Sequence, residues 1–496
     1  MDNWMPLLVF LTSLLTGIAI FLLDEEQHAI RTFLNIAGAL LKLVLVGIMI
    51  WGVFHEHSYE TRFTIMPGLD LFFRVDALAI LFVTLSSFLW LLTTVYAIGY
   101  LEGSPNRSRF FSFFSFCVAS TMGIAMAGNL FTFFLFYEML TLMTYPLIVH
   151  RGTEKALKAG KTYLRYTISG GAALLVGMVW LYVLSGPTEF TQAGSLEHLR
   201  TEHYPSLRII FVLLIAGLGV KAALVPLHGW LPAAMVAPAP VSALLHAVAV
   251  VKAGAFGIVR VVYNIYGIEF ASMLGLTMPL AAIAALTIIY GSLKALSQED
   301  IKKRLAYSTV SQISYIILGI AIVGKVATIG GLVHIVHQGI MKITLFLCAG
   351  NLAETLSIHR INEMKGTGRR MPLTMSAFTI AAFGMIGVPP MAGFITKWYL
   401  GTGAVQAGQS WVIGVLVLSS LLNAAYFLPI IYSAWFEEPP VSLHEERRQG
   451  RLETGLLLLL PPLVTAFLSI LIGLFAGAAF SPLEWVKLIA FREYRP

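Results

Sequence analysis

Apolar residues fall along this chain in blocks of about 20, the length at which a helix crosses the hydrocarbon core of a bilayer. The blocks lie near residues 5–23, 32–54, 77–99, 111–128, 130–149, 165–185, 208–231, 240–263, 273–293, 305–323, 328–353, 373–398, 411–435 and 454–478. They predict an all-α polytopic membrane protein of about 14 transmembrane helices. The fourth and fifth blocks are separated only by Gly128 and Asn129, so one long kinked span there is the alternative reading. The polar stretches 55–75 and 186–207 are too short to form a soluble domain.

Composition agrees with the pattern. The hydrophobic fraction is 57% and the charged fraction 12%, about half of the roughly 25% that a soluble domain carries. Two cysteines, Cys117 and Cys348, both lie inside apolar blocks. They read as core residues, because a disulfide framework or thiolate metal site needs more. The first block lacks the basic flank and cleavage site of a signal peptide, and is read as a retained span.

The net charge of +7 would suggest nucleic acid in a soluble chain, but here its placement follows the positive-inside rule. Arg31, Arg107, Arg109, the 151–165 cluster, the 294–304 cluster, the 360–370 cluster and Arg447, Arg448 and Arg451 all follow odd-numbered spans. Those loops hold roughly nineteen Lys and Arg against about eight on the other side, which predicts that they are cytoplasmic and that both termini face outward.

Two spans are interrupted. The seventh block runs GVKAALVPLHGWLPAAMVAPAP and the twelfth GMIGVPPMAGFITKW. Each couples a proline break to a lysine, and they stand five spans apart. Paired proline- and glycine-broken spans mark the ion path of inverted-repeat transporters, and an odd offset inverts one copy relative to the other.

The candidate chemistry is charge at membrane depth. An ionised side chain at the bilayer centre costs roughly 2.5–3.5 kcal/mol on insertion scales. Glu138, Lys221, Lys252, Lys342 and Lys397 all lie in apolar blocks, with His246, His334 and His337 beside them. Groups at that cost persist by pairing, meeting water or neutralising, and each serves a proton path. His334, Gln338 and Lys342 recur every four residues and predict one helical stripe, with His337 one step aside. His246 and Lys252, six apart, fall about 120° from a shared face on a regular helix. Lys397 reads as an exit residue or an anchor reaching for the interface. Lys42 and Arg260 are given the plain reading of long side chains snorkelling or serving structure. A metal site is not expected, since the histidines lack carboxylate or thiolate partners.

The motifs FFLFYEMLTLMTYPL, KAALVPLHGWLPAAMVAPAPVSALLHAVAVVKAG, LSQEDIKKRLAYSTVSQISY, HIVHQGIMKITLFL and GVPPMAGFITKW resemble the antiporter-like membrane subunits shared by Mrp-type Na⁺/H⁺ antiporters, respiratory complex I and membrane-bound hydrogenases. The resemblance runs from about residue 77 to 400. It implies two inverted five-helix repeats with broken helices around a central polar axis. Residues 1–110 would hold helices 1–3, 111–263 the first repeat, 264–436 the second, and 437–496 helix 14 and a short tail. It also implies a Glu138–Lys221 pair in the first half, Lys252, His334 and Lys342 along the axis, and Lys397 as the terminal lysine. Within the family the chain most resembles the D-type members of Mrp antiporters. His337 stands five before Lys342, Gln338 stands where complex I relatives more often have histidine, and Ala233 replaces their acidic residue.

The implied function is a cation/proton antiporter subunit of a multi-subunit complex in the plasma membrane, moving protons and, in the Mrp branch, sodium. The alternative is a proton-pumping subunit of a complex I-like or ferredoxin-linked redox enzyme. No cysteine cluster for iron–sulfur and no GxGxxG loop occurs, so any catalysis would belong to partners, and no cofactor is expected. CO₂ or bicarbonate uptake, a use of relatives of this fold, finds no support in the residues.

Overall fold

The protein is described from a computed structural model covering residues 4–439, 453–492 and 494. Arg447, Arg448 and Arg451 of the predicted cytoplasmic loop, and part of the expected C-terminal tail, lie outside the described residues.

The apolar blocks form helices in the predicted order. These are α1 Met5–Phe21, α2 His28–Phe54, α3 Ala77–Tyr100, α4 Arg107–Ala125, α5 Leu130–Ile148, α6 Glu154–Ser185, α7 Tyr204–Lys221 and α8 Ala239–Tyr266. They continue as α9 Thr277–Leu296, α10 Ile301–Ala321, α11 Lys325–Leu356, α12 Pro372–Ile386, α13 Ala392–Gln406, α14 Trp411–Phe436, α15 Leu456–Leu474 and α16 Pro482–Arg492. Among the described residues, 11 helices are long and apolar enough to cross a membrane. α1 and α12 are apolar but shorter. Burial grades inward: α8 and α11 are buried along their whole apolar windows, whereas α2, α6 and α14 turn apolar side chains such as Phe33, Trp51, Val183 and Leu421 outward. The outer helices therefore meet the bilayer or partner chains, and α8 and α11 form the core.

Two details differ from the sequence pattern. The fourth and fifth spans are separate, because Asn129 caps α5 by accepting from the Thr132 N–H at 2.7 Å. The chain before it is held by the Phe72 carbonyl, which accepts from Gly128 N–H. The second difference is a β-hairpin, Tyr59–Met66 paired antiparallel with Leu69–Val75, in a stretch read only as polar. Pro67 and Gly68 make its turn, and Gly68 has φ +80°, a conformation that glycine adopts without a Cβ clash.

The two proline breaks are present and are built differently. In the first, α7 ends at Lys221, Ala223 takes φ +56°, and an irregular turn leads to the short helix Trp230–Ala233. Its freed backbone groups are satisfied locally. Trp230 Nε1 donates to the Val220 carbonyl at 2.6 Å, and Val225 N–H to Thr287 Oγ1 at 3.1 Å. In the second, α12 stops before Gly387, at φ +93°, and α13 restarts at Ala392. There Asn423 Nδ2 donates to the Met385 carbonyl at 3.0 Å. Lys221 precedes its break and Lys397 follows its own.

Candidate proton pathway

The first half of the site is set by α5, α6 and α7. Lys221, fully buried, donates to the Tyr137 carbonyl and lies 3.3 Å from the centre of the Tyr137 ring. Glu138 is the next residue, but among the described residues no ion pair joins it to Lys221. Its carboxylate turns toward α6, where Gly171 leaves the room; a Cβ at Gly171 would stand inside contact distance of both carboxylate oxygens. Glu138 Oε1 is buried without a hydrogen-bond partner. The expected partners thus stand on different helices, Glu138 on α5 and Lys221 on α7. Gly171→Ala is expected to displace Glu138 and slow transport about tenfold, roughly 1.4 kcal/mol on the barrier, with normal membrane levels. Transport at the parent rate would show that the carboxylate's position is immaterial.

The centre is the contact between α8 and α11. Lys252 Nζ donates to the Ile335 carbonyl at 2.6 Å. A π turn, Leu244–Val248, carries His246, whose ring stacks on Phe346 at 4.4 Å and has both nitrogens unpartnered. The extra residue of a π turn breaks the regular 3.6-residue phase that the sequence reading assumed.

The α11 stripe fans out over three neighbours. His334 and His337 both reach Thr396 Oγ1 through Nδ1, at 3.2 and 3.0 Å. Gln338 donates to the His246 carbonyl at 3.4 Å. Lys342 bonds Ser308 Oγ and the Leu305 carbonyl on α10. His337, placed one step aside by the sequence, is therefore joined to His334 through a shared hydroxyl. Lys397, half-buried, donates to the Ile386 carbonyl at 2.5 Å and to Ser420 Oγ at 2.7 Å. Thr396, Ser308, Ser420 and Gly171 were not legible in advance. Thr396 beside Lys397 in FITKW was the nearest clue.

Of the two plain readings, the structure favours the structural one. Arg260 does not snorkel: it is buried and makes a two-pronged ion pair with Asp76, at 2.5 and 2.8 Å, and also bonds Asn264 Oδ1 at 3.1 Å. Asp76 caps α3, accepting from Ala79 N–H at 2.7 Å, so this pair ties α3 to α8. Lys42 is likewise buried, bonded to Ser13 and 4.3 Å from the Trp90 ring centre. Both are held by acceptors on neighbouring helices that a single-helix reading cannot see. Cys117 and Cys348 are buried free thiols, as expected.

A bundle with two broken helices and a line of buried lysines and histidines is the architecture of an ion-translocating membrane subunit. The chain belongs to the family described as NADH:quinone oxidoreductase/Mrp antiporter, TM, whose model matches residues 127–423. A second model, NADH-Ubiquinone oxidoreductase (complex I), chain 5 N-terminus, matches residues 67–111. Among its relatives, the N-type subunit of the NADH-quinone oxidoreductase of Desulforudis audaxviator (strain MP104C) is 37% identical over 81% of each chain. The D-type subunit of the Na(+)/H(+) antiporter of Bacillus subtilis (strain 168) is 28% identical over 96% of this chain and 94% of its own. In fold, the chain is similar to one in the Mrp complex from Dietzia sp. DQ12-45-1b. That match has a TM-score of 0.87 and 22% identity, covering 100% of this chain and 98% of that one. A chain of the archaeal membrane-bound sulfane sulfur reductase gives a TM-score of 0.84 at 23% identity, covering 98% of this chain and 96% of its own. The protein is an antiporter-like, all-α polytopic membrane subunit of this family.

Proposed function

We propose that this chain is the D-type subunit of a Na⁺/H⁺ antiporter complex. In this reading protons move along Glu138, Lys221, Lys252, His246, His334, His337, Lys342 and Lys397. The observation that carries the reading is how the buried lysines are held. Lys221, Lys252, Lys342 and Lys397 each bond carbonyl or hydroxyl oxygens, and none of the four forms an ion pair among the described residues. A neutral acceptor holds either protonation state of an amine nitrogen nearby without fixing its charge, as a carboxylate would. Such a lysine can load and release a proton, which a permanently paired one cannot.

In this mechanism Glu138 swings between its Gly171 niche and Lys221. When it approaches, its charge favours the ammonium; when it withdraws, burial favours release toward the centre. The Thr396 hydroxyl, bonded to two imidazoles, can accept from one and donate to the other. The repeats span 111–263 and 264–436, the basic loops face the cytoplasm, both termini face outward, and the complex sits in the plasma membrane beside other membrane subunits. The membrane potential supplies about 2.3 kcal/mol per charge per 100 mV to drive unequal exchange.

A second reading, a pumping subunit of a redox complex, is favoured by the 37% identity to an N-type oxidoreductase subunit. Inverted vesicles carrying the whole complex separate the two. After energisation, Na⁺ addition is expected to alkalinise the interior, followed with a pH dye. Acidification driven only by a redox substrate, without a sodium response, would sink the antiporter reading.

A further inference from the structure

We propose that the cavity between the β-hairpin and the hairpin-side ends of α5 and α6 seats one phospholipid whose headgroup carries a phosphate and a primary amine. The cavity measures about 390 Å³ and has two kinds of wall. One is charged. Arg62 stands between Asp70, at 3.0 Å, and Glu189, at 2.6 Å. Those bonds use two of the five N–H donors of a guanidinium, and the Arg62 side chain is still 42% exposed. The charged lining is thus one positive group against two negative ones. A phosphate meets the open edge of Arg62, and an ammonium meets the Asp70 and Glu189 carboxylates. An anionic headgroup without an amine would add negative charge to a wall that already has it in excess. A quaternary amine has no N–H to donate.

The other wall is apolar, made by Phe131, Met178 and Val179. Val179 belongs to a stripe on α6 with Ile168, Leu175 and Tyr182, all exposed. Their spacings of seven, four and three keep them on one helix face. The stripe runs about 20 Å, more than half of the roughly 30 Å hydrocarbon core, so an acyl chain leaving the cavity has an apolar track. The cavity also lies at interfacial depth. Ile65 and Met66 at the hairpin tip are exposed, and exposed Trp4 and Phe63 stand with ring centres 6.2 Å apart. Apolar and aromatic groups of this kind sit at the headgroup level of a bilayer. The Tyr182 hydroxyl, donating to the Gly68 carbonyl at 3.4 Å, ties the hairpin turn to α6 at the cavity. A charged triad serving only to brace the hairpin would need no apolar room opening onto a membrane-facing stripe.

The test uses the assembled complex, delipidated in mild detergent and read by native mass spectrometry as single lipids are added back. Phosphatidylethanolamine is expected to rebind about tenfold more tightly than phosphatidylglycerol or phosphatidylcholine. Val179→Trp fills the apolar side and leaves the ion pairs in place, so it should weaken that rebinding about tenfold with normal levels of complex. Glu189→Gln should erase the preference for the ethanolamine headgroup over glycerol, a change of selectivity that loss of structure alone would not give. Equal binding of phosphatidylglycerol, rebinding unmoved by Val179→Trp, or displacement of the lipid by inorganic phosphate alone would overturn the site. A partner subunit is the competing occupant. With Cys117 and Cys348 replaced by alanine, Val179→Cys in native membranes is expected to give no cross-link to another subunit, and a cross-link there would equally overturn the proposal.

Discussion

Lys221→Ala is expected to abolish sodium-dependent proton movement, lowering it about 10²-fold or more, the scale of losing a positioned proton-transfer group. The size follows from its position. Lys221 is the last residue of α7 before the break, fully buried, and bonded to the Tyr137 carbonyl. Among the described residues it is a titratable amine at the interrupted backbone, next to the residue pair Tyr137 and Glu138. Removing it leaves an apolar gap between the first half of the site and Lys252. Lys221→Arg makes the expectation sharper, because guanidinium stays charged at every working pH and needs a planar fork of acceptors. The arginine variant should fail as fully as the alanine one. Both are measured by internal pH dye in inverted vesicles, with membrane levels of the complex as the control. A working Lys221→Ala would remove Lys221 from the path, and a working Lys221→Arg would show that charge without titration suffices.

The largest effect on stability is expected at Asp76 and Arg260. Removing one partner of a buried pair leaves the other charge without compensation, at a cost of roughly 3–5 kcal/mol. Asp76→Ala also removes the cap of α3, a loss of roughly 1 kcal/mol. We expect it to lower the thermal midpoint of the detergent-solubilised complex sharply and to reduce the amount found in membranes. Asp76→Asn keeps an oxygen for the cap and loses only the charge, so it should fall between alanine and the parent. The double variant Asp76→Asn with Arg260→Met leaves no orphan charge and should recover most of the loss. Specific transport per folded molecule should change little, since the pair lies off the proposed path. A midpoint for Asp76→Ala equal to the parent's would contradict the pair's structural role.

The contrast between these residues shows what kind of information each level holds. Lys221 stands out in the sequence because a lysine among apolar residues, five before a proline, is anomalous on its own helix. Arg260 is equally anomalous on its helix, but its role is hidden there because its partner, Asp76, lies 184 positions earlier. The same limit hid Thr396. A threonine on α13 carries no signal until the fold sets it against His334 and His337. Gly171 is one of several small residues on α6, and only packing shows that its missing side chain makes room for a carboxylate.

Sequence alone determined the membrane class, the order of spans, the two breaks with their lysines, and which residues place charge at depth. Those follow from hydrophobicity, proline geometry and desolvation cost, which are properties of single residues and short windows. Tertiary structure decided everything that depends on one helix meeting another. It set the Glu138 carboxylate against Gly171, divided the α11 stripe among three neighbours, paired Arg260 with Asp76 and folded the C-terminal helix over the hairpin end. Hydrogen bonds and ion pairs reach only about 3 Å, so their partners are fixed by where the chain returns in space, and local periodicity carries no record of that.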